Sequence, residues 1–157
     1  MKNQILIFLM ITVFSSLSKA QASDQNYLIR TFYEKVYDSN VSSREIVSNY
    51  VVYTDTVGYN NAIGTIESLR DPDNLGEHFS SLRKDITNKD FTLTSYNLFD
   101  DKEKAKFKDL NAVDRKNIYR LNPKNTIQQY LLIKENKICS FFGFQKAGSD
   151  TYTFIVY

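Results

Sequence analysis

At Asp90 the apolar residues change their spacing, and that change narrows the folds open to the chain. Before it they recur every three or four positions: Leu28, Phe32 and Val36, flanked by Ile29, Tyr33 and Tyr37; then Ile46, Val47 and Tyr50; then Leu75, Phe79, Leu82 and Ile86. This is the period of helices that each lay one stripe on a core. After it, 91-FTLTSYNLF-99 alternates, and 117-NIYRL-121, 126-TIQQYLLI-133, 138-ICSFFGFQ-145 and 151-TYTFIVY-157 are short runs rich in β-branched and aromatic residues. Such runs are strands. Helices gathered ahead of a strand run predict an α+β layer fold, N-terminal helices packed on a curved antiparallel sheet of four to six strands.

Local punctuation sets expected boundaries. Ser23-Asp24 can cap a first helix through about Asp38, which Ser39-Asn40 breaks. Ser42-x-x-Glu45 reads as a capping box for a short second helix. The β-branched stretch 51-VVYTDTV-57 predicts a first strand, and 58-GYNNAIG-64 a loop. Asp71 and Pro72 suit the N-cap and first position of a third helix ending near Asn88. Residues 100–116 form a polar excursion with Phe107, Leu110 and Val113 as its apolar anchors. Glu135-Asn136 and Ala147-Gly148-Ser149 predict the two turns of a closing three-strand meander. Several of these strands are apolar on both faces, as in Leu132 with Ile133. One face must pack on helices, and the other is then partly enclosed, or the sheet curves around something.

The first residues have a different logic. Met1-Lys2-Asn3 is a short positive start, Ile5 to Phe14 an apolar run, and Ala20-Gln21-Ala22 a small-residue site. That order is a secretory leader, cleaved after Ala22, with a single domain over 23–157. A membrane span needs about 20 apolar residues, more than this run supplies, so the mature chain is expected to carry no integral membrane segment. Lys2 and Lys19 leave with the leader, so 18 basic residues face 18 acidic ones. A neutral domain has no overall field to attract nucleic acid. The expected location is periplasmic or secreted. With a single cysteine, Cys139, no internal disulfide can form. This favours a bacterial envelope protein over a small disulfide-stapled domain. One Cys and one His also leave too few ligands for a zinc site, and no cofactor is implied.

The layout of 24-DQNYLIRTFYEKVYDS-39, 44-REIVSNYVVYTD-55, a helix over 72–87 and strands to Tyr157 resembles the NTF2-like (SnoaL-like) superfamily. The stretch 50-YVVYTDTV-57 looks like the place where such domains enter their first strand. A cystatin-like sheet with fewer helices is the neighbouring alternative. The resemblance is one of layout. It implies helices wrapped in a curved sheet around a cone-shaped cavity, in which a carboxylate or histidine can do acid–base work.

No phosphate-cradling glycine loop, nucleophile elbow or His-x-x-x-His pair occurs. If the layout holds, Asp55 and the lone histidine, His78, are the candidate catalytic groups, and Tyr50, Tyr53 and Tyr96 the candidate ligand contacts. Desolvation in an apolar cavity could make Asp55 a usable base. The leading expectation is nonetheless a non-catalytic exported module that binds a small molecule or another protein. A cofactor-independent isomerase, dehydratase or hydrolase is the second reading, and a structural component of an envelope assembly the third. Oligomeric state, homodimer included, is left open.

Overall fold

The structure, a computed structural model, describes residues 24–71, 73 and 79–157, and the backbone alone of 77 and 78. The expected leader over 1–22 and the helix signals at Ser23, Pro72 and Leu75 lie outside the described residues.

Helix α1 runs over 24–36 and buries Ile29, Phe32, Tyr33 and Val36. Helix α2, Ser43–Tyr50, opens as the capping box predicts, with the Glu45 N–H donating to Ser42 Oγ at 3.2 Å. Its buried side is Ile46 and Val47.

The next stretch corrects the sequence reading. Residues 51–57 make one parallel bridge, Val51 to Ile138, and then turn into a helix. Helix α3 is Thr56–Arg70, so 58-GYNNAIG-64 is helical and Asp55 sits at its N-cap, accepting the Gly58 N–H at 2.8 Å. A carboxylate at a helix start satisfies an orphan donor and meets the positive end of the dipole. Those gains outweigh the strand preference of a run already interrupted by Thr54-Asp55. The helix is held by burying Ala62, Ile66 and Leu69 at three- and four-residue spacing. Gly58 is present for closeness of approach and not for a turn: a Cβ there would lie 2.3 Å from the Tyr157 carbonyl carbon. Arg70 fixes α3 to the end of α1, donating to the carbonyls of Lys35 at 2.8 Å and Asp38 at 3.1 Å. Asp71, expected to open the following helix, instead ends α3. Helix α4, Glu77–Thr87, buries Leu82, Asp85 and Ile86.

Strand β1 is Phe91–Ser95. The alternation stops there because Tyr96–Leu98 winds into a 3-10 turn. The polar excursion becomes two short helices, α5 (Asp101–Ala105) and α6 (Ala112–Lys116), capped by Asp100 and Asn111. Strands β2 (Ile118–Pro123), β3 (Gln129–Lys134) and β4 (Lys137–Ser140) complete an antiparallel sheet ordered β1-β2-β3-β4. Strands β5 (Gly143–Gln145) and β6 (Tyr152–Phe154) form a separate hairpin. The expected meander therefore breaks after β4, where Phe141 turns inward to become buried. Both predicted turns are present. Glu135 and Asn136 adopt φ of 51° and 56°, and Gly148 a φ of 79°, left-handed values that suit tight hairpin turns.

The sheet is covered on both sides, which accounts for strands apolar on both faces. Tyr119, Leu121, Leu131, Ile133 and Ile138 join the buried residues of α1 to α4 in one cluster. Ile118, Tyr130, Leu132 and Cys139 belong to a second, with Phe99 and Phe107 buried and Tyr152 and Phe154 packed against it. Cys139 is buried there, and that burial pushes its thiol above the ordinary range.

Candidate functional site

Next to the buried stripe of α3 runs a polar one. Asn60, Asn61, Thr65 and Ser68, with Gly64 between them, recur at the spacing that puts them on one helical face. Facing them is segment 155–157. It is pinned by Thr54 N–H to Tyr157 O at 3.0 Å and by Ile155 N–H to Phe142 O at 3.0 Å. The Tyr157 ring stacks on Phe141, centroids 5.1 Å apart at 23°. Phe79 of α4 stacks on Phe142 at 6.2 Å and 29°.

These groups enclose an open pocket of about 660 Å³, with Leu69 and Ile155 completing its apolar side. Among the described residues its lining contains amides, hydroxyls and apolar side chains, and no charged one. Tyr157 is 5 % exposed, and its hydroxyl has no hydrogen-bond partner among the described residues. Burial pushes the phenol up to about 12, and the neighbouring Thr65 hydroxyl pulls slightly the other way. Thr65 gives its own proton to Asn61 O at 2.9 Å and makes no bond of good geometry to the phenol. A buried hydroxyl without a partner is costly, so such atoms call for an explanation in each case.

Of the residues singled out in the sequence, Asp55 and the three tyrosines are outside this lining. Asp55 is exposed at the start of α3, bonded to Gly58. Tyr53 is exposed, its ring set edge-on against Tyr59 at 5.0 Å. Tyr50 is partly buried against the first core cluster. Tyr96 packs against Phe99 and Phe107 in the second cluster, on the other side of the sheet. The structure does not gather Tyr96 with the other two tyrosines. His78 falls in α4, one residue before the pocket residue Phe79, and its side chain lies outside the described residues. Asn60, Asn61, Thr65 and Ser68 were missed because 58–64 reads as a loop. Their helical spacing was the signal that could have found them.

A second polar assembly stands behind the sheet. Glu103 of α5 pairs with Arg120 and accepts the Tyr130 O–H at 2.9 Å, and the Arg120 guanidinium lies over the Phe99 ring, 5.3 Å from its centroid. Lys106 adds a bond to the Tyr130 oxygen at 3.3 Å. Burial and the Glu103 bond together drive the Tyr130 phenol far above its ordinary range. This assembly ties α5 to β2 and β3. Among the described residues no cluster of His, Cys, Asp and Glu is placed to hold a metal ion, and no helix is long and apolar enough to cross a membrane.

No family model, curated protein or solved structure matches the chain. Fold and site define a class on their own terms, an α+β domain with an open pocket between its third helix and the segment 155–157, lined among the described residues by uncharged side chains.

Proposed function

We propose that this chain is an exported, non-catalytic binding domain whose ligand is a small neutral molecule of saccharide-like chemistry, held in the pocket beside α3. The observation that carries this is the lining. One wall offers Asn60, Asn61, Thr65 and Ser68; the other offers Phe79, Phe142, Ile155 and Tyr157. A sugar has the matching character, with hydroxyls around its edge that amides can bond and C–H faces that rings can cover. An ion entering the pocket would give up hydration for no described counter-charge.

The leader over 1–22 supports export. The helices-on-sheet layout agrees with an NTF2-like arrangement. Here, however, Phe32, Tyr33 and Phe141 fill the space between α1 and the sheet, which leaves the α3 pocket as the ligand site of this reading. The exposed, helix-capping position of Asp55 favours binding over acid–base catalysis.

NMR titration of the 23–157 protein with glucose, galactose and N-acetylglucosamine tests the proposal. Shift changes should centre on Asn61, Thr65 and Phe79 and saturate for at least one sugar. A spectrum unmoved by all three up to tens of millimolar removes the saccharide reading.

A further inference from the structure

A second hollow adjoins the first. It has a volume of about 300 Å³, and its lining includes Ile127, Gln128, Gln129, Phe144, Gln145 and Tyr152. Phe79 and Phe142 line both hollows, so their stacked pair is the shared wall between the two. The chemistry repeats across that wall: uncharged amides beside aromatic rings, with no charged side chain among the described lining residues.

The amides of the second hollow have capacity to spare. Gln129 Oε1 accepts from the Tyr33 hydroxyl at 3.3 Å, which leaves its NH2 group to donate. Gln145 donates through Nε2 to Ser149 O at 2.7 Å, which leaves its Oε1 to accept. Phe144 is 49 % exposed and Ile127 72 %, so the outer rim offers an aromatic face and an aliphatic one to solvent. Sites that enclose a whole small-molecule ligand run from about 300 to 1,000 Å³. The first pocket lies well inside that range and the second at its floor, so the second is suited to extend a site more than to form one.

We propose that the two hollows form one groove for a neutral oligosaccharide chain, which crosses the Phe79–Phe142 pair and places later sugar units against Phe144, Gln129 and Gln145. This rests on the saccharide reading of the first pocket and adds chain length to it.

Isothermal titration calorimetry on the 23–157 protein separates the two claims, using glucose against maltotetraose and cellotetraose, and N-acetylglucosamine against chitotetraose. At least one tetramer should bind tenfold or more tightly than its monomer. Phe144→Ala should remove most of that gain while leaving monomer affinity within twofold; an unchanged circular dichroism spectrum and melting temperature show that the variant is folded. Equal affinity for monomer and tetramer overturns the chain-length inference and leaves the pocket reading standing. No binding of either overturns both. A dimer in solution that Phe144→Ala dissociates also overturns it, since a second copy would then cover the groove.

Discussion

Tyr130 and Tyr157 are each 5 % exposed, and their hydroxyls meet opposite circumstances. On the α5 side of the sheet the Tyr130 hydroxyl donates to Glu103 and accepts from Lys106. On the helical side the buried Tyr157 hydroxyl has no partner among the described residues. Burial raises both phenols, so burial alone does not say what a tyrosine contributes. The partner does. A satisfied hydroxyl ties elements of the fold together, whereas an unsatisfied buried one ties nothing and costs stability.

The largest expected effect comes from breaking the satisfied side. Glu103→Ala removes the acceptor of both Tyr130 and Arg120 and leaves a cation facing an aromatic cluster. Loss of one partner of a buried pair costs about 3 kcal/mol or more, read as a lower urea midpoint in equilibrium unfolding. A midpoint within error of the parent would mean that water solvates Arg120 fully and that the assembly is a surface pair.

Tyr130→Phe is a milder test at the same place. Hydrogen bonds to charged groups contribute about 1.5–3 kcal/mol, so this variant should be less stable than the parent by an amount in that range. Monosaccharide binding in the α3 pocket, on the far side of the sheet from Tyr130, should be unaltered. Coupled loss of affinity would show that the two regions are not independent.

Tyr157→Phe should have the smallest effect on stability and the opposite sign. It deletes a buried hydroxyl that has no hydrogen-bond partner among the described residues, so stability should hold or rise by up to about 1 kcal/mol. It should also change the alkaline limb. A phenol whose folded value is raised from 10 to about 12 stabilises the fold fully below pH 10, and that contribution is lost as pH rises toward 12. Tyr37 and Tyr152 share this window, both raised to about 12 chiefly by burial. The parent should therefore lose stability steeply between pH 10 and 12, and the Tyr157→Phe variant less steeply. Identical slopes would place the Tyr157 ring in solvent, against the packing described.

What the sequence determined by itself is local. The Ser42–Glu45 capping box, the left-handed pair Glu135-Asn136, the turn at Gly148 and the order of helices before strands all follow from interactions within a few residues, and each is present in the fold. Strands apolar on both faces left two outcomes open, a second face partly enclosed or a sheet curved around something, and packing covers the sheet on both sides. Tertiary structure decided the rest. Residues 58–64 carry glycine and asparagine, poor helix formers, and become helical because Ala62, Ile66 and Leu69 find a core to enter. The pocket exists only because Gly58 lets segment 155–157 approach and Phe79 meets Phe142, contacts between residues far apart in the chain. A spacing rule reads neighbours along one element. It has no access to which elements close on each other, and that closure alone placed Tyr157 opposite Asn61 and Thr65.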